Sequence, residues 1–301
     1  MKRVLVLGGE GMLGHKVFQV LDSRFETFAT FRSLNSTALK YPVYKAVDTR
    51  KLIGGVDGLE FDTITRAFAQ VKPDVVINCI GIIKQLKEAK DALLSIKVNA
   101  LFPHRLADLC AATGVRMFHM STDCVFSGRK GNYTEQDTPD PVDLYGRSKL
   151  LGEVARDGCL TIRTSIFGRD FAKQSAFLEW FLSNRGGRVR GYVNAIYTGF
   201  PTVVLARIMG DLIEDYPDLS GLYQVSSVPI SKYELLLKIR DAMNLDIEIE
   251  PFEDFSCDRS LDPSCFVADT RYHIPSWDEM ITALVQDAKY YDTWREKNAT
   301  A

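Results

Sequence analysis

Tyr145 and Lys149, in the run Tyr145-Gly146-Arg147-Ser148-Lys149-Leu150-Leu151-Gly152-Glu153, have the types and spacing for proton transfer. Four residues apart on a helix, they project from one face, one turn apart. An ammonium held near a phenol stabilises the phenolate and draws its pKa from about 10 toward neutrality. A tyrosine tuned in this way protonates a ketone oxygen or takes a proton from an alcohol. Tyr41 and Lys45 share the spacing, but Pro42 disfavours a helical conformation at Tyr41, so that pair is a decoy. A second candidate is His119-Met120-Ser121-Thr122-Asp123, which begins as an apolar strand and ends in hydroxyls. Thr122 at a strand's carboxyl end can hydrogen-bond a substrate carbonyl from the side opposite the tyrosine. Taken alone, the same residues also read as a polar turn or helix cap.

These groups need a scaffold, and the amino-terminal residues supply its signature. Arg3-Val4-Leu5-Val6-Leu7 is of strand type and runs directly into Gly8-Gly9-Glu10-Gly11-Met12-Leu13-Gly14, followed by apolar residues at helical spacing. A strand, a glycine turn and a helix form the dinucleotide-binding pattern. Gly8 suits the tight turn, Gly11 lets backbone approach a pyrophosphate, and Gly14 lets the helix pack on the strand. The helix N-terminus offers free N–H groups and a positive dipole end to phosphate. The next strand ends at Phe31 with Arg32 and no acid at its tip. An acid there would bond a ribose 2′-hydroxyl, whereas an arginine pairs with a 2′-phosphate. Arg32 therefore points to NADPH, with NADH as the other cofactor choice.

Apolar strands are predicted at 3–7, 26–31, 43–47, 74–80, 115–120 and 159–163, with helices near 12–22, 62–71, 91–112 and 144–156. Such alternation implies an α/β fold, a Rossmann-type doubly wound parallel sheet. Beyond about residue 165 helices near 173–184, 202–215, 231–243 and 277–292 predict a smaller, mostly helical C-terminal substrate lobe. The expected division is a dinucleotide-binding domain over 1–165, receiving parts of 190–225, and a substrate lobe over 166–301. With 301 residues, 46% of them hydrophobic and 25% charged, the chain has the composition of a globular protein with a sizeable core. A formal net charge of −2 provides no basic field for nucleic acid or anionic membrane. The apolar stretch 75–83 is too short to span a bilayer. Six cysteines without a C-x-x-C pair and four histidines without ligand spacing argue for reduced thiols and no metal. A cytoplasmic protein without a leader is expected.

The glycine turn, the hydroxyl-bearing strand end and the tyrosine–lysine pair, in that order, resemble the extended short-chain dehydrogenase/reductase superfamily. The nearer resemblance is to its dTDP-4-dehydrorhamnose reductase branch. It is carried by residues 8–14, Asp74 to Cys79, Ser121 to Gly128, Gly131 to Glu135, Tyr145 to Glu153, Ile162 to Ser165, Gly199 to Thr202 and Gly221 to Ser226. The resemblance implies that Tyr145 is the general acid for a sugar keto oxygen, that Lys149 lowers its pKa and bonds the nicotinamide ribose, and that Thr122 binds the carbonyl. It places Val125 at the sugar, and gives Asp123 a contact with the sugar or a role in ordering the loop. It draws cofactor contacts from Gly11-Met12-Leu13, from Asp48-Thr49 beside the adenine, and from Gly81-Ile82-Ile83. Asn99 matches a residue that supports the active-site backbone or a proton relay, though an ordinary helix-face amide is the other reading.

The implied function is NADPH-dependent reduction of a nucleotide-linked 4-keto-6-deoxy sugar, feeding polysaccharide (O-antigen) synthesis. The chain departs from the branch at Ile166, where a tryptophan is expected, and at Cys79 to Gln85, where an Ala-rich segment is expected. Both departures leave a UDP- or GDP-linked sugar as credible as dTDP-4-dehydrorhamnose. Arg259 sits where relatives hold the diphosphate or base, with a salt-bridged surface arginine as the alternative. The expected partner is thus a nucleotide-diphosphate sugar, and a homodimer remains open. Two other functions stand beside this one. One is an epimerase with tightly bound NAD. The other is a non-catalytic NADP-binding subunit resembling the methionine adenosyltransferase regulatory subunit.

Overall fold

The computed structural model describes residues 1–34, 41–45, 47–84, 87–171 and 176–299. A central sheet is built from β1 (Arg3–Leu7), β2 (Glu26–Thr30), β3 (Leu52–Ile53), β4 (Val75–Asn78), β5 (Arg116–Met120), β6 (Cys159–Arg163) and β10 (Gly221–Gln224). Its seven strands lie in the order β10-β6-β5-β4-β1-β2-β3, and every neighbouring pair from β6 to β3 runs parallel. The order reverses between β1 and β4. Ligands of open parallel sheets bind at such a switch point, beyond the carboxyl ends of the strands. Val4 to Leu7, Val75 to Asn78 and Met117 to His119 are buried, as strands covered on both faces must be.

The crossovers are α1 (Met12–Leu21), a short α2 (Pro42–Lys45), α3 (Phe61–Val71), the pair α4 (Ala92–Ser95) and α5 (Phe102–Thr113), and α6 (Leu144–Leu151). Between α4 and α5 the helix widens into a π turn over Ile96–Leu101. On one sheet face Ile64, Phe68 and Val71 of α3 and Phe102, Leu106 and Cys110 of α5 pack against Leu5, Leu7, Val76 and Met117. The 3.6-residue period of those apolar positions made both helices legible.

The chain divides into two compact units. One comprises Met1–Ser121, Asp143–Ile162 and Ala206–Leu222, the other Thr122–Val142, Arg163–Leu205 and Tyr223–Ala301. The second unit contains β7 (Ile166–Phe167), α7 (Phe177–Leu182), β8 (Gly187–Tyr197), β9 (Phe200–Pro201), β11 (Ile230–Ser231), α9 (Lys232–Ala242), β12 (Ile247–Asp258), α10 (Ser264–Thr270) and α11 (Trp277–Ala299). The helix α8 (Thr202–Asp215) starts in this unit and ends in the first. Within the second unit, buried Arg169 ties α7 to α11 through Glu179 at 2.9 Å and Asp292 at 2.7 Å. The α9 start carries a capping box of Ser231 and Glu234.

Two elements differ from the sequence expectation. The strand predicted at 43–47 is the helix α2, with Ala46 outside the described residues. Pro42 sits at its first position, where its fixed φ favours a helix. Tyr44 is buried there, with ring centroids 5.2 Å from Phe18 and 5.0 Å from Phe31. The third strand is β3, too short to carry a period. The carboxyl-terminal lobe also contains a three-stranded sheet, β11-β8-β12, that the sequence did not predict. Its β8 and β12 are laced by Arg188 to Glu248 at 2.9 Å and to Glu250 at 2.7 Å. Charges alternating with few apolar residues hid these strands.

Candidate active site

The glycine turn links β1 to α1. Gly8 has φ +86°, and a Cβ added at Gly14 would fall on the Gly8 carbonyl, so both positions need glycine. The Gly8 N–H donates to Thr30 Oγ1 at 3.1 Å and the Gly9 N–H to the Thr30 carbonyl at 2.9 Å, fastening the turn to the end of β2. The Tyr44 hydroxyl donates to the Gly9 carbonyl at 2.7 Å. His15 is fully buried, with Nδ1 at 2.8 Å from the Gly11 carbonyl. Burial, aided by Lys16, pushes this imidazole down to about 3, so it is neutral and donates. Gly11 is exposed, and α1 begins there with no capping side chain and no acid in its first turn. Its first N–H groups are therefore available to a diphosphate, and the cradle fits a dinucleotide. Met12 is half-buried and Leu13 buried behind it. Arg32 is exposed two residues beyond β2, at the same edge as the turn.

Asp48 and Thr49, expected beside the adenine, are placed elsewhere. They precede β3, which pairs with β2 from Leu52 onward, and so lie toward the amino ends of the strands. Asp48 holds Arg50 at 2.6 Å, while neighbouring Lys51 reaches Asp22, the residue ending α1, at 2.6 Å. The opposite end of β3 runs into residues 54–57, where the Val56 N–H donates to the Phe31 carbonyl at 3.0 Å. A two-residue strand gave the sequence no signal for this loop.

At the carboxyl end of β4, Asn78 Oδ1 accepts from the Ile80 N–H at 3.1 Å. Gly81 and Ile83 are exposed, and Ile82 is buried. Buried Asn99, in the π turn, grips Ile82 at both backbone groups. Its Oδ1 accepts from the Ile82 N–H at 2.9 Å, and its Nδ2 donates to the Ile82 carbonyl at 3.0 Å and to Ser148 Oγ at 3.1 Å. Asn99 thus brackets the strand-end loop to α6 and is no solvent-facing amide. Gly152 ends α6 directly on this turn, since a Cβ there would fall on the Asn99 carbonyl.

The α6 helix opens with Asp143, whose side chain accepts from the Gly146 N–H at 2.9 Å. It presents half-buried Tyr145 and, one turn on, buried Lys149. Lys149 Nζ donates to the Met120 carbonyl at 2.5 Å, fixing the ammonium at the end of β5. Burial lowers its pKa to about 8, against the opposing pull of Glu153 and Cys79. Ser121 Oγ donates to Glu153 Oε1 at 2.6 Å. Neither Ser121 nor Glu153 was singled out from sequence, because an anchoring pair of this kind leaves no spacing rule.

In the second unit, Thr122 begins a one-turn helix over Asp123–Val125. Its hydroxyl donates to Asp123 Oδ1 at 3.0 Å and accepts from the Cys124 N–H at 3.2 Å. Burial raises the Asp123 pKa against the pull of Arg259. Arg259, half-buried, donates from Nε to the Phe126 carbonyl at 2.9 Å. Val125 is fully buried, and its side chain offers no surface to a substrate. Ile166 is half-buried on β7.

Among the described residues no group of His, Cys, Asp and Glu could hold a metal, and no helix is long and apolar enough to cross a membrane. A family model described as the RmlD substrate binding domain matches residues 1–288. The chain belongs to that family. It is similar to a hypothetical dTDP-4-dehydrorhamnose reductase from Sulfolobus tokodaii, at 28% identity and TM-score 0.73, over 92% of this chain and 98% of that one. It also shares its fold with the dTDP-4-dehydrorhamnose reductase of Bacillus anthracis solved with NADP, at 19% identity and TM-score 0.73, over 94% and 98% of the two chains. Methionine adenosyltransferase 2 subunit beta of Rattus norvegicus is 27% identical over 258 residues, 81% of this chain and 73% of that protein. With its reductase relatives, the chain is an NAD(P)-dependent oxidoreductase of the short-chain dehydrogenase/reductase kind.

Proposed function

We propose that this protein reduces the 4-keto group of a nucleotide-diphosphate-linked 4-keto-6-deoxy sugar, with NADPH as the reductant. The observation carrying the proposal is the Lys149 ammonium, buried and fixed on the Met120 carbonyl one helical turn from Tyr145. When bound, the reduced nicotinamide supplies hydride to the carbonyl carbon. Tyr145 gives its phenolic proton to the carbonyl oxygen, and Lys149 stabilises the phenolate left behind. Thr122 hydrogen-bonds the same oxygen, and Ile166 lines the sugar. The glycine turn, with Gly8, Gly11, Met12, Leu13 and Gly14, cradles the diphosphate of the cofactor. Gly81, Ile82 and Ile83, braced by Asn99, line the nicotinamide, and residues 54–57 take the adenine position expected of Asp48 and Thr49. Arg32 pairs with the 2′-phosphate, and Arg259 with the diphosphate of the sugar nucleotide. The product would feed cell-surface polysaccharide synthesis.

NADPH oxidation with a panel of dTDP-, UDP- and GDP-linked 4-keto-6-deoxy sugars tests the proposal. Turnover with one of them at a rate lost in Tyr145→Phe is the expected result. NADPH binding without turnover on any of them would overturn it. A regulatory role is favoured by one observation, the similarity over 81% of this chain to a methionine adenosyltransferase beta subunit. Under that role the protein would bind NADP and a methionine adenosyltransferase catalytic subunit, which a pull-down with the purified partner detects.

A further inference from the structure

Lys149 is buried, and a buried ammonium keeps its charge only with a counterion or several acceptors. Besides Tyr145, one turn earlier on the same helix, the titratable groups facing it come from three elements. Cys79, just past β4, has its thiol pushed up to about 12 by burial and is neutral. His119, on β5, is held well below the usual imidazole range by burial and by Lys149 itself, and is neutral as well. Glu153, which follows α6, is the anion among the described groups that face Lys149.

The carboxylate is anchored where the lysine is anchored. Lys149 donates to the carbonyl of Met120, and Ser121, the next residue, donates to Glu153. The Ser121 N–H in turn donates to the Ile162 carbonyl at 2.8 Å, locking this strand end to β6. Gly152 lets the chain turn from α6 against the Asn99 carbonyl and deliver Glu153 to Ser121. Two consecutive residues of one strand end therefore hold the cation and its counterion.

We infer that Glu153, moored on Ser121, is a positioning residue that keeps the Lys149 side chain charged and fixed at the end of β5. The kinetic side of this inference rests on the tyrosine–lysine reductase proposed above, whereas the ionisation of Lys149 does not. Glu153→Gln removes the charge but keeps an acceptor for Ser121, and Glu153→Asp retains the charge on a shorter stem. The test follows the Lys149 ionisation directly, by side-chain nitrogen NMR of the full-length protein, with Lys149→Met assigning the signal. Glu153→Gln should raise the acid dissociation constant of Lys149 about tenfold or more, the scale of losing a close opposite charge. Glu153→Asp should restore most of it. Once a substrate is known, the alkaline limb of kcat should move to lower pH in Glu153→Gln, with KM nearly unchanged. Should Glu153→Gln fail to fold, Ser121→Ala, which leaves the charge but unmoors it, should raise the same constant by a smaller factor. An unchanged Lys149 ionisation in the folded variant would overturn the inference. A shifted ionisation without turnover on any sugar would overturn the proposed reaction and leave the role of Glu153 standing.

Discussion

Asn99→Ala removes the bracket between the strand-end loop and α6. Asn99 is 1% exposed and Ile82 8% exposed, so water does not readily replace the lost amide. Both backbone groups of Ile82 lose their partner, at about 1–3 kcal/mol for each buried group left unpaired. Ser148 retains its bond to the Tyr145 carbonyl at 3.0 Å and adds little to the loss. A destabilisation of about 3 kcal/mol is expected on this basis. Residues 81–83 lose their fixed backbone, so NADPH should bind about tenfold more weakly, equivalent to about 1.4 kcal/mol. Asn99→Asp separates the contributions, because it keeps the acceptor for the Ile82 N–H and turns an oxygen toward the Ile82 carbonyl. It should cost at least as much as alanine at neutral pH. Urea unfolding midpoints with and without NADPH, and NADPH titration by fluorescence, measure both effects. A midpoint free energy within about 0.5 kcal/mol of the parent, the scale of an inconsequential surface change, would refute the bracket.

Further predictions address the chemistry and its specificity. Tyr145→Phe should leave NADPH affinity nearly intact and lower turnover by roughly two to four orders of magnitude, read in steady-state assays. Arg32→Asp should turn preference from NADPH toward NADH, because a carboxylate repels the 2′-phosphate and accepts from a 2′-hydroxyl; the ratio of kcat/KM for the two cofactors decides it. Arg259→Ala should raise KM for the sugar nucleotide while leaving NADPH affinity unchanged, and paired titrations on one variant separate this from misfolding. Lys149 has a pKa of about 8 in the folded cofactor-free protein, below its unfolded value. Between that pH and the unfolded pKa of about 10.4 the unfolded chain binds more protons, so this group's contribution to stability rises with pH in that window. Lys149→Met should abolish that rise in urea midpoints measured from pH 7 to 10.5, although turnover falls over the same range as the ammonium is lost.

The parallel-sheet unit was more legible in the sequence than the carboxyl-terminal one. Tyr145 and Lys149 declare themselves by helical spacing, and Gly8 and Gly14 by a turn that no Cβ permits. The continuous apolar runs of β4 and β5 and the amphipathic period of α3 are strong signals. The errors fall where period is absent or misleading. Val43, Tyr44 and Val47 look like a strand, but Pro42 and the pocket for Tyr44 make a helix there, and the true β3 has two residues. Placing the strand too early carried Asp48 and Thr49 to the wrong edge of the sheet. In β8 and β12, arginines and glutamates paired across the sheet read locally as a solvated loop, since a parallel partner sixty residues away is invisible in a window. Ser121 and Glu153 meet only after folding, across 32 residues of chain.

The chain passes repeatedly between its two units, and this has a consequence for biosynthesis. The first unit needs residues 206–222, which run into β10 at the border of the large sheet, before it is complete. Arg116 reaches the carbonyls of Leu212 and Leu219, at 2.9 Å each, and Arg24 holds Asp211 at 2.7 Å, so this late segment is tied back to residues made long before. A ribosome must therefore extrude roughly three quarters of the polypeptide before the first half can settle, and such non-local closure is slow. A stop codon between β6 and β10 would leave β6 as an unpaired sheet edge. Neither unit is one uninterrupted stretch of chain, so neither can be exchanged as a contiguous cassette.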